Sequence, residues 1–383
     1  MRSASEPVRI IQVGAGQMGR AWLGTIGRSP DAVLVGLADL DPALAATAAS
    51  ETGHPEAAVA ASLAELVSTV AADAVVNVTV PAAHRAVSAV ALRHGLPVLC
   101  EKPVAETVST ALAMAAESEI AGQLLMVSQS RRYFRHLSTF RAQLAELGDI
   151  GLLHCTFHKA PHFGGFREEM PYPLLVDMAI HQFDLSRQLT GSDPVAVYCD
   201  SFNPGWSWFR GDAAAQVVFE FANDARFAFS GSWCSPGLET SWNGSWRVSG
   251  SAGTALWDGD NAPVAEYADG QPVQAAAGEG PEQIDGSLAE FIAAVRTGTQ
   301  PPSGEVHSNV LSLAMVEAAI RSAEEHRRVS IAEILDDAYE RVLQEESDPA
   351  LREALQAWPS VHAVVGERSV KPVGASAADI GPS

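Results

Sequence analysis

A glycine-rich turn, Gly14-Ala15-Gly16-Gln17-Met18-Gly19, follows the apolar run over residues 8–13 and leads straight into a helix-like stretch over 17–28. No other feature restricts the fold as strongly. A buried strand that passes through such a turn into a helix begins a βαβ unit, whose parallel strands need a crossover packed on the sheet. The pattern recurs. A second apolar run over 33–38 ends at Asp39, and strands expected over 74–80, 97–100 and 124–128 alternate with helices over 83–94 and 105–120. Strands alternating with helices predict a parallel sheet covered on both faces.

Each glycine of the turn has its own task. The first permits the tight turn, the second lets a dinucleotide pyrophosphate approach the backbone, and the third lets the helix pack closely on the strand. The helix N-terminus faces the phosphates, so Gln17 and Met18 belong to the same expected site. Asp39 ends the second strand twenty positions beyond Gly19. A carboxylate there accepts hydrogen bonds from the adenosine ribose hydroxyls and repels a 2′-phosphate. Asp39-Leu40-Asp41-Pro42 brings no arginine, so NAD(H) is expected rather than NADP(H).

After about residue 150 the grammar changes. Segments 152–159, 195–202, 214–222, 225–233, 245–249, 253–257 and 263–267 carry β-branched or aromatic residues, with turns at Asn223-Asp224 and Asp258-Gly259. They predict an antiparallel sheet and a second domain of α+β type. Helical patterns return over 284–297, 308–326 and 331–346. The expected division is a dinucleotide-binding domain over 1–128 and an α+β domain over 129–345, whose last helices can pack back on the first. The segment 366–383 is small, polar and aperiodic, and is expected to be disordered.

With 383 residues and 47% apolar content the chain can bury a full core and hold about two domains. A formal charge of −21 opposes nucleic-acid binding, and no basic run exceeds Arg131-Arg132 or Arg327-Arg328. No apolar run reaches the ~18–20 residues of a membrane span. The first seven residues hold one arginine and no apolar stretch after it, unlike a secretory signal. The cysteines at 100, 155, 199 and 234 form no Cys-x-x-Cys and suit reduced thiols in cytoplasm. His154, His158 and His162 would line one face of a helix, but their stretch alternates like a strand into a Pro161 turn. No cysteine or acid stands at ligand spacing with them, so no metal site is expected.

The chain has three lysines against twenty-two arginines, and one of them, Lys102, follows an apolar strand in Leu99-Cys100-Glu101-Lys102-Pro103. Lysine is a compact donor whose pKa falls with burial or neighbouring cations. A chain that defaults to arginine and places lysine there has a use for that donor. Residues 174–190 read as one helix ending at Gly191, with Leu174, Met178, Leu185 and Leu189 as an apolar stripe. Asp177, His181 and Asp184 share another face at i, i+4 and i+7. Hydride leaves an alcohol carbon readily only as the hydroxyl proton is removed, and histidine, with an unperturbed pKa of about 6.5, takes that proton near neutrality. Asp177 or Asp184 can hold the ring and stabilise the imidazolium, while Lys102 stabilises developing charge on the same oxygen. Six of the eight tryptophans lie between 206 and 257, suited to sheet cores and interfaces, with one or two available to a sugar ring. Lys159 is either a contact to substrate hydroxyls or a solvated surface lysine. Arg132 and Tyr133 sit where the chain leaves the first domain and border the expected cleft.

With Glu101-Lys102-Pro103 added to these features, the chain resembles the glucose–fructose oxidoreductase / inositol dehydrogenase (Gfo/Idh/MocA) family from about residue 8 to 340. The likeness includes Thr79 and His84 before the Glu-Lys-Pro strand, Gln129-Ser130-Arg131-Arg132-Tyr133, and Asp177-x-x-x-His181-x-x-Asp184. The resemblance implies a Rossmann domain joined to a domain with a large, mostly antiparallel open-faced sheet, which often forms subunit interfaces, hence a homodimer or homotetramer. It also implies NAD(P)-dependent chemistry at a CH–OH carbon of a sugar, polyol or inositol. Carried over, it makes Lys102 and His181 the catalytic pair with Asp177 beside them, and places Thr79, His84, Glu101 and Lys102 at the cofactor. Three departures stand out. Thr79-Val80-Pro81 replaces the family's frequent Thr-Pro-Asn near the nicotinamide. Pro171-Tyr172-Pro173 replaces a glycine-rich turn, stiffening the approach and directing Tyr172 towards substrate, so substrate identity is not simply inherited. Ala179 stands where many members have glycine, a small change. The expected function is an NAD-dependent dehydrogenase acting on a secondary hydroxyl of a sugar, glycoside or inositol. The resemblance also admits an NAD-recycling glycosidase and a non-catalytic NAD-binding sugar regulator; Lys102 and His181 together weigh against the regulator.

Overall fold

The computed structural model describes residues 6–276, 278–299, 301 and 303–366. They form two compact units, one of residues 6–130, 281–310 and 337–366, the other of 131–280 and 311–336. Relative to the expected division at 128/129, segments 281–310 and 337–345 therefore pack with the first unit. Asp285 gives the reason for the first of these, accepting from the Thr25 hydroxyl at 2.5 Å and the Arg28 guanidinium at 2.8 Å. Apart from Gly366, the tail expected to be disordered lies outside the described residues.

The first unit is built on six strands: β1 (Val8–Val13), β2 (Ala32–Ala38), β3 (Ala58–Ala60), β4 (Ala74–Asn77), β5 (Val98–Glu101) and β6 (Leu125–Ser128). Their order is β3-β2-β1-β4-β5-β6 and every pairing is parallel, the doubly wound arrangement of a Rossmann sheet. β4, β5 and β6 are buried at every position, because helices cover both faces. The helix Val108–Ala121 shows how: its alanines let it lie buried nearly all round, Thr107 caps its first turn, and Gly122 ends it at φ 60°. β4 stops at Asn77, short of the expected 80. The Asn77 side-chain carbonyl accepts from the Thr79 backbone and hydroxyl, turning the chain so that Pro81 can open the next helix.

The second unit holds β7 (Ile150–His158), β8 (Pro194–Phe202), β9 (Ala214–Phe221), β10 (Arg226–Ser232), β11 (Ser245–Gly250), β12 (Gly253–Trp257), β13 (Val264–Tyr267) and β14 (Val329–Ser330). The sheet runs β13-β12-β11-β7-β10-β9-β8-β14, antiparallel except for the central β7–β10 pair. One face is aromatic and buried: Phe157, Phe219, Phe227, Phe229, Trp246 and Trp257 are each 2% exposed or less. Phe183 caps it, its ring centroid 4.8 to 6.4 Å from those of Phe219, Phe229 and Phe227. Across the other face runs the register row Tyr198, Val218, Ala228, His154, Arg247, Leu256 and Val264. Period-two alternation thus sorts the strands into a packed and an open face.

The helix expected over 174–190 is two helices. Leu174–Ala179 is a π-helical turn, and Ile180–Thr190 continues as an α-helix ending at Gly191, φ 59°. Pro171 and Pro173 lack N–H donors just ahead of it. The i, i+4, i+7 spacing of Asp177, His181 and Asp184 therefore crosses a change of pitch, and a single uniform α-helical face does not carry all three.

Candidate active site

In the first unit the turn after β1 has the shape its glycines predict. A Cβ on Gly14, at φ +103°, would lie 2.5 Å from the Val78 carbonyl oxygen, and one on Gly19 would lie 2.3 Å from that of Gly14. Nothing lies within 4 Å of the position a Gly16 Cβ would take. The helix Gln17–Arg28 begins there without a side-chain cap, which leaves its first N–H groups without a capping side chain. Gln17 and Met18 are exposed beside it. Behind the turn the wholly buried Gln12 donates through Nε2 to the carbonyls of Gly14 and Gly19, at 2.8 and 2.9 Å. Asp39 accepts from the Ala15 N–H at 2.8 Å and, through its other oxygen, from the Asp41 N–H at 3.0 Å. An open second glycine, an uncapped helix start and a carboxylate at the end of β2 fit a bound dinucleotide.

Beside this turn, buried polar groups shape two loops. The Asn77 amide donates to the His84 carbonyl and the Ser88 hydroxyl. The His84 ring, 1% exposed, places Nδ1 2.9 Å from the Pro103 carbonyl and Nε2 3.1 Å from that of Thr79. Burial lowers its pKa against the pull of these carbonyls. His84 thus ties the Thr79 turn to the loop that carries Lys102, ahead of the cis Lys102–Pro103 bond. Glu101 turns inward: its oxygens accept from the indole of the buried Trp22 at 2.7 Å and from the Lys102 N–H at 3.0 Å. Burial raises the Glu101 pKa although both donors favour the carboxylate. Lys102 itself is half-buried.

In the second unit the two aspartates of the expected catalytic helix have different surroundings. Asp184 is met by Arg132 in a two-bonded fork, Nε to Oδ2 and Nη2 to Oδ1, both 2.7 Å, with side chains 1% and 3% exposed. Ser312 donates to the same carboxylate at 2.5 Å, and Arg187 donates to Ser312 and Asp193. Burial opposes the charge on Asp184, yet Arg132, Ser312 and Arg187 hold its pKa below the usual carboxylate range. Asp177, 21% exposed, takes one bond from Arg167 Nε at 2.9 Å. His181 is 5% exposed in the first turn of Ile180–Thr190.

The remaining expected residues are dispersed within this unit. Tyr133 is half-buried and follows Arg132. Lys159 donates to Glu239 at 3.0 Å and lies 4.9 Å over the Trp242 ring. The Tyr172 hydroxyl donates to Glu324 at 3.0 Å, and burial together with that carboxylate pushes its pKa up to about 12. His154 faces outward from β7, and the His162 ring stacks on Trp208 at 3.8 Å. Gln12, Asn77 and Arg167 were not expected at the site. A lone amide inside or ending an apolar strand was a readable signal for the first two; for Arg167 there was none.

Residues 8–129 match the model of an oxidoreductase family with an NAD-binding Rossmann fold, and residues 141–256 match the GFO/IDH/MocA C-terminal domain. The chain is 27% identical over 357 residues to inositol 2-dehydrogenase of Rhizobium meliloti, covering 85% of this chain and 99% of that protein. It is 27% identical over 329 residues to 1,5-anhydro-D-fructose reductase of Ensifer adhaerens, covering 81% and 95%. Among solved structures it is similar to an oxidoreductase from Agrobacterium radiobacter in complex with NAD+, L-tartaric acid and magnesium. The TM-score is 0.77 at 21% identity, over 86% of this chain and 99% of that one.

Proposed function

Since the chain belongs to the Gfo/Idh/MocA family of NAD-binding oxidoreductases, we propose that it transfers hydride at a secondary CH–OH carbon of a sugar, glycoside or inositol. The observation that carries this reading is the turn built around Gly16, open in front and held behind by Gln12, Gly19 and Asp39, in the same unit as the shaped Lys102 loop. The inositol dehydrogenase and anhydrofructose reductase names of its relatives support a polyhydroxylated substrate.

Bound NAD supplies a nicotinamide carbon that accepts hydride. His181 takes the hydroxyl proton as the general base. The Lys102 ammonium donates to the same oxygen and stabilises its growing negative charge. Asp177 is the carboxylate that orients His181, because Asp184 is already engaged by Arg132 and Ser312. Glu101 acts through the backbone, fixing the Lys102 N–H. The open face of the second sheet, with Tyr198, Val218, Leu256 and Val264 each more than 40% exposed, supports self-association into a dimer or tetramer. Four buried free thiols suit a reducing cytoplasm. Among the described residues no helix is long and apolar enough to cross a membrane.

The test is NADH formation from NAD+ over inositols, aldoses and glycosides, run beside Lys102→Ala. Formation by the parent chain and its near loss in the variant supports the dehydrogenase. Silence across the panel with NAD bound overturns it, and release of free sugar from glycosides without net NADH would indicate the NAD-recycling glycosidase instead.

A further inference from the structure

We propose that Arg167 is a specificity residue whose guanidinium receives a carboxylate of the substrate, so that the alcohol oxidised belongs to a polyhydroxy acid rather than a neutral polyol. This rests on the dehydrogenase reading above, in which Asp177 stands beside the reacting group.

Other arginines of this chain show what a satisfied guanidinium looks like. Arg9 gives Nε and Nη2 to the two oxygens of Asp73 at 2.9 and 2.7 Å. Arg132 does the same to Asp184, and Arg328 to Glu220 at 2.7 and 2.8 Å. Arg167 makes one such bond, from Nε to Asp177, and its terminal nitrogens donate to none of the described residues. The edge formed by those two nitrogens is the planar fork that matches a carboxylate with two parallel hydrogen bonds.

That edge is held in place. The guanidinium carbon lies 5.4 Å from the Phe163 ring centroid and 4.9 Å from that of Phe166, a cation–π contact with each of two exposed rings. Phe163 and Phe166 are 47% and 65% exposed, and these contacts give two water-facing phenylalanines in one short segment a use. The segment is itself tied down. Glu168 accepts from the Gly164 N–H at 2.9 Å, its carbonyl accepts from the Arg210 N–H at 2.8 Å, and His162 stacks on Trp208. Arg167 is thus presented in a fixed direction, which lowers the entropy lost when a ligand docks.

Charge argues the same way. Asp177 is the carboxylate bonded to this arginine, and Arg210 of the same neighbourhood is paired with Glu169 at 3.2 Å, so in a chain of net charge −21 the terminal nitrogens of Arg167 are the donor edge left for an anion. A neutral polyol has no need of a cation beside Asp177. One guanidinium has five donors and can serve two carboxylates, Asp177 on Nε and the ligand on the far edge.

The experiment uses matched pairs: D-gluconate with D-glucitol and D-galacturonate with D-galactose. Binding to the enzyme saturated with NADH is measured by calorimetry, and turnover with NAD+ by NADH formation, for the parent chain, Arg167→Met and Arg167→Lys. The parent is expected to favour the acid of at least one pair by about tenfold or more, the scale of one charge-assisted fork. Arg167→Met should collapse the acid-to-neutral ratio of that pair towards one, through KM rather than kcat, and Arg167→Lys should recover part of it. No acid preference in either pair, or a ratio unchanged in Arg167→Met, overturns the proposal. The two readings fail separately. Acid-selective binding that depends on Arg167 but yields no NADH from any compound removes the dehydrogenase and leaves the carboxylate site. NADH formed only from neutral partners does the reverse.

Discussion

The helical run over 174–190 carries two aspartate–arginine pairs seven residues apart, and they differ in everything except chemistry. Asp184 and Arg132 are interior, joined by two short bonds and braced by Ser312. Asp177 and Arg167 are partly exposed and joined by one. Removing one partner of a buried pair strands a charge in low dielectric and costs about 3–5 kcal/mol. A solvated pair contributes about 0–1 kcal/mol. The first pair is therefore committed to holding the helix, while the second can change partners without endangering the fold. Residue type does not distinguish an anchor from a working group; burial and the number of bonds already made do.

The sharpest way to break this contrast is Arg132→Met, expected to lower stability by about 3–5 kcal/mol in denaturant titration. A loss below about 1 kcal/mol would mean that the pair is no anchor. Asp177→Asn should do the opposite, costing less than about 1 kcal/mol of stability while reducing kcat about 10²-fold, the lower end for an acid–base group.

The buried pair also makes stability depend on pH. Asp184 is depressed in the folded state, so its stabilisation is complete above the unfolded carboxylate value of about 3.9 and is lost as pH falls through the depressed value. In Arg132→Met burial, the largest influence on Asp184, is opposed only by Ser312 and Arg187, and the Asp184 pKa is expected to rise above the unfolded value. Stability then falls as pH rises through that raised value, and melting temperatures followed from pH 4 to 8 should show the reversal, on the order of a few degrees.

The cofactor turn offers a matched contrast of smaller size. Gly16→Ala meets open space and should leave the melting temperature unchanged while weakening NAD binding about 10–10²-fold. Gly19→Ala meets the Gly14 carbonyl and should lower the melting temperature as well. Tyr172→Phe, which loses one exposed bond to Glu324, should change stability and kcat/KM least, by under about tenfold.

How much of this was readable in the chain follows from how local each feature is. β4, β5 and β6 announce themselves because complete burial leaves uninterrupted apolar runs. β3, only Ala58–Ala60, is too short to show any pattern, and the helix Pro42–Glu51 is alanine-rich with little contrast between its faces. The apolar stripe of 174–190 was visible, whereas the π turn was not, since closing bonds one residue further along leaves composition unchanged. Gly14, Gly16, Gly19, Asp39, Lys102 and His181 stand in motifs with defined spacing. Arg167 has no such frame: its interest arises only when folding brings it to Asp177 and over two phenyl rings. The parallel contact of β7 with β10 inside an otherwise antiparallel sheet is a long-range choice of the same kind.

The bond from the Ala15 N–H to Asp39 bears on how coenzyme preference could evolve or be engineered. Admitting a phosphorylated ribose means removing the negative charge at position 39, and that same oxygen secures the turn that receives the pyrophosphate. A neutral replacement such as Asp39→Ser would leave Ala15 without its acceptor, so a mutant selected for NADP should first lose NAD and gain little. Second-site changes that re-seat the turn would have to accompany the switch. The carboxylate expected to disfavour a phosphorylated ribose is in this way part of the turn that would receive either coenzyme.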